Sequence, residues 1–248
     1  MILLNHECQK PYSSLHCIIP ARSGSKGLPS KNSRVLHGLP LAEHSLKFAL
    51  SISGLDSIIL STDCPYLLSR ANLYSSALYH ERSPELSSDT ASIVDLVLDI
   101  HNSTLAITAG SNPAYLVLQP TSPFRSHSEV ASALSIAISK GLSSLVAVTS
   151  CPHHPSECIN LSESGWKYVV PPPATCSRRQ DYANAPFFIS GSFYLATLSF
   201  LLENRSFLGD QSSFFQTFEP VIVDIDDLND FNAAHSLYSF MRQSGYAL

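Results

Sequence analysis

The chain has 248 residues, 44% of them hydrophobic and only 14% charged, with a net charge of -5 and a pI near 6.0. That length supports one large α/β domain or one domain with an appended subdomain, and the charged fraction lies well below the roughly 25% of an average soluble domain. The acidic balance excludes a nucleic-acid partner, which calls for a basic surface, but leaves room for a small anionic ligand held by a local cluster of cations.

The opening MILLNHECQKPYSS has too short an apolar run for a signal-peptide core of about 7–15 residues. No later run approaches the roughly 20 residues of a membrane span, so the expectation is a soluble, cytoplasmic protein with no membrane partner. On that expectation the N-x-S/T triplets at Asn102, Asn160 and Asn204 are chance matches. The six cysteines include no CxxC pair, which argues against a zinc site and for reduced thiols.

In chain order, LHCIIPA (15–21) reads as a buried strand ending at Pro20, followed by a loop over 22–34. LAEHSLKFALSI (41–52) has helical spacing; DSIILST (56–62) is a second strand, YLLSRANLYSSA (66–77) a helix, and ALYHE (77–81) a weaker strand. TASIVDLVLDIHN (90–102) predicts a helix capped at Asp89 or Thr90. AYLVLQPTSP (114–123) is a strand stopping at Pro120, SEVASALSIAISKG (128–141) a helix ending at Gly141, and SSLVAVTS (143–150) a strand. Strands that are continuous apolar runs alternating with helices indicate a parallel sheet covered on both faces. In such sheets ligands bind beyond the carboxyl ends of the strands, so the loops at 22–34, 61–65 and 119–125 should converge. From about residue 151 the pattern breaks into a polar stretch with three consecutive prolines, Pro171–Pro173, which reads as an excursion rather than another βα unit. FFISGSFYLA (187–196) and FEPVIVDIDDLND (218–230) return to strand character, and FNAAHSLYSFMRQ (231–243) closes with a helix.

The first loop, ARSGSKGLPSKN, combines Gly24 and Gly27, which permit tight turns and present backbone N–H groups, with Arg22, Lys26 and Lys31. Arginine grips phosphate in a bidentate manner and lysine acts as a point charge, a set suited to a triphosphate. The loop matches neither the Walker A nor the dinucleotide-binding glycine pattern; the plainer reading is a solvated basic turn. Asp224 and Asp226 alternate at the expected strand end, so both carboxylates face one side and present hard oxygens suited to Mg²⁺; Asp227 and Asp230 suit helix capping. His153 and His154 are adjacent and would point to opposite faces of a strand, so they make a poor ion-binding pair. Asp63 could assist a metal or nucleotide, or simply close a strand.

The stretch PARSGSKGLPSKN resembles the signature of the cytidylyltransferases that activate sialic acids and related nonulosonic acids. STD (61–63), RSPELSSDTAS (82–92), LQPTSPFR (118–125), RRQD (178–181), GSFY (191–194) and DIDDLND (224–230) agree with that family in order and spacing, so the resemblance spans nearly the whole chain from His16. It implies a single α/β domain over 1–248 with a three-layer, mostly parallel, Rossmann-like nucleotidyltransferase sheet. A dimerisation and acceptor-sugar excursion would lie at about 145–190. It also implies transfer of CMP from CTP to the anomeric hydroxyl of a nonulosonic acid by direct attack on the α-phosphorus, with Mg²⁺ or Mn²⁺ neutralising the triphosphate.

By the same resemblance, Arg22, Lys26 and Lys31 are catalytic cations on the CTP phosphates, with Lys31 on the developing charge. Gly24, Ser25 and Asn32 touch the nucleotide, and Arg82 with Asp89 and Ala91 of SSDTAS forms the cytidine pocket. Gln119, Arg179 and Ser190 face the acceptor sugar, Arg179 reaching over from the neighbouring subunit of a homodimer with a shared active site, and Asp224 and Asp226 hold the metal. The chain departs from the family pattern at Ser190, where an asparagine is usual, in an interval from Arg179 to Gly191 one residue longer than common, and at Ser156-Glu157, where some relatives are basic. All three lie on the acceptor side. Two other readings stand beside this one: a nucleotidyltransferase for another sugar acid such as Kdo, against which SKGLPSKN argues, and a catalytically silent nucleotide- or sugar-binding homologue.

Overall fold

The computed structural model describes residues 11–106, 108–151, 153–173, 182, 186–218 and 223–244. Strands run in chain order as β1 (Leu15–Pro20), β2 (Val35–Leu36), β3 (Leu39–Pro40), β4 (Ser57–Thr62), β5 (Leu78–Glu81), β6 (Ala114–Val117), β7 (Ser144–Ser150), β8 (Ile159–Ser162), β9 (Gly165–Tyr168), β10 (Phe187–Thr197) and β11 (Ser213–Gln216). Helices are α1 (Leu41–Leu50), α2 (Pro65–Ser69), α3 (Ile93–Ile100), α4 (His127–Lys140), α5 (Leu198–Asn204) and α6 (Leu228–Gln243). Seven strands form one sheet in the order β11-β7-β10-β6-β1-β4-β5. Every pairing in it is parallel except those of β10, which runs antiparallel between β6 and β7.

The sheet is the middle of three layers. Along β1, Cys17 and Ile19 face the cluster made with Ala42, Leu46 and Ala49 of α1 and Val130, Ala133, Leu134 and Ala137 of α4. Ile18, between them, faces the other cluster, with Val94, Val97 and Ile100 of α3 and Phe200 and Leu201 of α5. A strand covered on both faces has no polar side to show, which is why LHCIIP is fully buried and reads as a continuous run rather than an alternation. A third cluster lies outside the sheet. There Phe231, Ala234 and Met241 of α6 pack on Leu28, Leu36, Leu41, Phe124 and Ile225, which ties the C-terminal helix to the loop after β1.

Several elements differ from the sequence reading. The helix expected over 66–77 is only the five-residue α2 followed by a 3₁₀ turn at Ala71–Leu73. α3 is capped by Ser92, whose hydroxyl accepts from Val94 N at 3.0 Å, and not by Asp89 or Thr90; the chain from Ser83 to Ala91 is used in turns instead. The strand expected within 218–230 does not form over 223–226, which is irregular, and its place at the sheet edge is taken by β11 just upstream. The helix-capping role of Asp227 and Asp230 holds: Asp227 accepts from Asn229 N and Asp230 N, and Asp230 accepts in return from Asp227 N. The two ends of the 145–190 excursion belong to β7 and β10 of the main sheet, and the described residues between them include the β8–β9 hairpin, exposed along its whole length. No helix of the described residues is long and apolar enough to cross a membrane.

At the amino ends of the strands, His16 is 2% exposed and sandwiched between two hydroxyls, Ser14 Oγ at Nε2 and Ser57 Oγ at Nδ1, both 2.7 Å. Ser14 gives its own proton to Ala109 O at 2.6 Å, which leaves it to accept from Nε2–H. Burial holds His16 below its ordinary pKa, with Asp56 opposing and His101 adding to the effect; burial also lowers His44 and His127. Each imidazole protonates more readily in the unfolded chain, so the unfolded state takes up protons first as pH falls through about 6.5. Stability should be full above that value and decline below it, read as a lower urea midpoint at pH 5.5 than at pH 7.5. His16→Asn should flatten that dependence; an unchanged slope would remove His16 as a contributor.

Candidate active site

The carboxyl ends of β1, β4, β5 and β6 open on one side, and their loops meet there. The chain leaves β1 at Ala21, whose carbonyl accepts from Thr62 Oγ1 at 2.6 Å. One residue after β4, the Asp63 carboxylate takes both the Ser23 amide and the Ser23 hydroxyl at 2.6 Å. Burial pushes the Asp63 carboxyl upward, but these two bonds, together with its own amide and the charge of Arg82, lower it on balance. Asp63 thus does more than close a strand: it anchors the start of the cationic loop. Asn32, 7% exposed, donates to Arg22 O at 2.8 Å and closes the loop from its far end.

The cations of this loop are distributed over fixed acceptors. Arg22 and Lys26 both reach Asp89, on its two oxygens, at 2.8 and 3.0 Å. The bonds from those two side chains, Arg22 first, lower the Asp89 carboxyl from its usual value. Asp89, with no helix to cap, is thus an internal anion lying between two proposed phosphate-binding groups. Lys31, its side chain only 11% exposed, donates to Ile225 O at 2.8 Å and Asp226 Oδ1 at 3.0 Å. Arg82, immediately after β5, is 6% exposed, its amide bonded to Thr62 O. Burial lowers its pKa, Asp63 works in the opposite sense, and Arg22 lowers it further. Its Nε is buried with no hydrogen-bond partner among the described residues.

The two glycines act differently from the expectation. Neither has the left-handed backbone of a tight turn, which falls to Ser30 with φ 55°. Nothing lies within 4 Å of where a Gly24 Cβ would be, whereas a Cβ on Gly27 would come within 2.3 Å of Asp226 O. Gly27 is therefore a close approach of two backbones, bringing the loop against the 224–226 segment. Ser25 and Ala91 are partly exposed on the loops facing this space.

Asp224 and Asp226 lie on irregular backbone and not on a strand, yet they flank Ile225, which is fully buried in the α6 cluster. Both carboxylates are exposed. Ile225 N donates to Thr121 O at 2.9 Å, so the same segment touches the turn after β6. In that turn the Gln119 side chain faces Gly191 of β10: a Cβ on Gly191 would sit 3.4 Å from Ser122 Oγ and 3.6 Å from Gln119 Oε1. Gly191 has φ 75° and lies in the register break between Ile189 and Tyr194. Ser190 is 2% exposed, with its hydroxyl near the Ser192 amide. Arg179 lies outside the described residues.

Two halves thus share one mouth: a cationic half from β1, β4 and β5, and a polar half from β6 and β10, joined by residues 224–226. The architecture is that of a nucleotidyltransferase. The cytidylyltransferase family model matches residues 16–153, more than half of the chain. Over 78% of this chain and 82% of the relative, the sequence is 33% identical to CMP-N,N'-diacetyllegionaminic acid synthase of Legionella pneumophila. It is 29% identical to pseudaminic acid cytidylyltransferase of Campylobacter jejuni over 93% and 98% of the two chains, and 30% identical to N-acylneuraminate cytidylyltransferase of Streptococcus agalactiae over 87% of this chain and 51% of that one. The chain belongs to the cytidylyltransferase family and is an enzyme of the N-acylneuraminate cytidylyltransferase type. In fold it is similar to CMP:2-keto-3-deoxy-manno-octonic acid synthetase solved with CTP, at TM-score 0.65 and 16% identity over 92% and 99% of the chains. It is also similar to 4-diphosphocytidyl-2C-methyl-D-erythritol synthase of Anaerococcus prevotii, at TM-score 0.60 and 13% identity over 91% and 98%.

A carboxylate bridging two cations competes with any incoming polyphosphate. Asp89→Asn should therefore bind inorganic tripolyphosphate several-fold more tightly than the native chain in low-salt calorimetry, and equal affinity would remove Asp89 as a competitor.

Proposed function

We propose that the protein transfers CMP from CTP to the anomeric hydroxyl of a nonulosonic acid. The bond from the sugar oxygen to the α-phosphorus forms as the bond from that phosphorus to the bridging oxygen of pyrophosphate breaks. The observation that carries this reading is the loop after β1, where Arg22 and Lys26 lie 2.8 and 3.0 Å from one carboxylate, at the open end of a parallel sheet. That is the spacing of two cations around a single anion, which phosphate can replace. Positioning and fixed positive charge are what such a displacement asks of a protein. Arg22, Lys26 and Lys31 would hold the phosphates, with Gly24, Ser25, Asn32, Arg82 and Ala91 toward the nucleoside; Gln119, Ser190 and the partner subunit's Arg179 would face the sugar acid.

A divalent cation, Mg²⁺ or Mn²⁺, would neutralise triphosphate charge when bound. The residues present fit it. Asp224 and Asp226 offer exposed hard oxygens on either side of a buried anchor, and Mg²⁺ is commonly held by one or two carboxylates together with substrate phosphates. Among the described residues no three His, Cys, Asp or Glu side chains converge into a metal cage. Lys31 beside Asp226 links the carboxylate pair to the cationic loop.

The homodimer belongs to the same proposal. Phe187, Phe188, Ile189 and Phe214 are 39–57% exposed around a groove floored by Val148, and the β8–β9 hairpin separately exposes Leu161 at 78% and Trp166 at 58%. Contiguous apolar surface of this kind marks an interface. A cytoplasmic location accords with use of CTP.

Pyrophosphate release should occur with CTP and not with ATP, GTP or UTP, when a panel of N-acetylneuraminate, legionaminate and pseudaminate is offered with Mg²⁺. The responding sugar identifies the acceptor, and CTP binding without release on any sugar would favour a silent binding protein. Lys31→Ala should lower kcat by on the order of 100-fold while changing the KM for CTP much less; an unaltered kcat would take Lys31 out of the chemistry.

A further inference from the structure

LQPTSPFR contributes one residue that the proposed reaction leaves without a task. Arg125 is only 7% exposed although it carries a full charge. Its guanidinium spans three elements: Nε donates to Ser192 O of β10 at 2.6 Å, Nη1 to Ser45 Oγ of α1 at 2.9 Å, and Nη2 to Gln119 O after β6. Ser45 Oγ also points its hydrogen toward Gln119 O at 3.4 Å, and the guanidinium carbon lies 6.0 Å over the Phe48 ring. Burying a guanidinium is costly, and what the planar fork supplies in return is fixed geometry. The geometry fixed here is specific. The two carbonyls that Arg125 grips belong to Gln119 itself and to the residue after Gly191. On the other side of those backbones, the Gln119 side-chain oxygen lies 3.6 Å from where a Gly191 Cβ would be. β10 is the one antiparallel strand of the sheet and its register breaks at this point, so the strand pairing does not by itself set that separation.

We propose that Arg125 is a positioning residue that sets the spacing of Gln119 against Gly191, and through it acceptor binding, while touching neither substrate. The proposal rests on the acceptor reading above. Arg125→Gln should raise the KM for the acceptor by on the order of 10-fold or more. Arg125→Lys should recover part of that loss, and the milder Ser45→Ala should raise it about fivefold. CTP affinity, measured by calorimetry without acceptor, should stay within about twofold. Hydrogen exchange in the protein without ligands supplies a second readout: Ser45→Ala and Arg125→Lys should speed exchange at 118–122 and 190–193 while leaving 22–32 unchanged. Unaltered exchange at those two segments overturns the proposal even if the native enzyme releases no pyrophosphate with any sugar. Equal losses of acceptor and CTP affinity that follow a fall in melting temperature, in Ser45→Ala as well, overturn it in favour of general support. If the native chain is inactive but exchange responds as stated, it is the acceptor reading that falls, and the spacing role stands.

Discussion

Mutual repulsion among four cations is the constraint from which the rest of the site follows. Arg22, Lys26, Lys31 and Arg82 are gathered at the mouth of the sheet, and like charges at such separations destabilise one another unless fixed acceptors lie among them. Asp89 stands between the first two, the Ile225 carbonyl and Asp226 take the third, and Asp63 is the acidic neighbour of the fourth. Each acceptor comes from a different loop, so holding the charges apart also holds the loops together. Arg22, Lys26 and Lys31 are thus each held on an internal acceptor.

That arrangement explains why a helix at the far end of the chain matters to a loop near its start. α6 has no place in the sheet. Its apolar face instead buries Ile225 against Leu28 and Leu36, and its capping aspartates fix the backbone just ahead of it: Asp230 takes the amides of Asp226 and Asp227 at 2.9 and 3.0 Å. Ile225 and Asp226 are thereby pinned, with Gly27 against the Asp226 carbonyl and Thr121 on the Ile225 amide. One short irregular segment connects the cationic half of the mouth to the polar half.

Much of this was legible in the residues, for physical reasons that differ by element. Buried parallel strands must be apolar on both faces, so β1, β4, β6 and β7 stood out as runs; the amphipathic helices α1 and α4 stood out by their spacing. The cationic loop was conspicuous because glycines and cations seldom cluster directly after a buried strand. The weaker features depend on competition that a linear pattern does not carry. Asp89, Thr90 and Ser92 are all suitable caps, and Ser92 wins because the turns from Ser83 onward deliver the chain to the helix only after Ala91, two residues beyond Thr90. VIVDID alternates like a strand in sequence, but over 223–226 the chain is irregular and Ile225 is drawn to α6, while β11 lies at the sheet edge.

By itself the sequence determined the alternation of strands and helices, the side of the sheet on which chemistry would gather, and the family. These rest on local composition and short spacings, which act along the chain before any long-range contact forms. Only the tertiary structure decided which charge meets which: Asp89 on Arg22 and Lys26, Asp226 on Lys31, Asp63 on Ser23, Arg125 across Gln119 and Ser192. Apart from Arg125 with Gln119, which are 6 positions apart, those pairings join residues 40 to 195 positions apart. Any acidic residue could in principle meet any basic one, and the choice among them is made by packing, which places a few backbones within hydrogen-bond reach and keeps the rest apart.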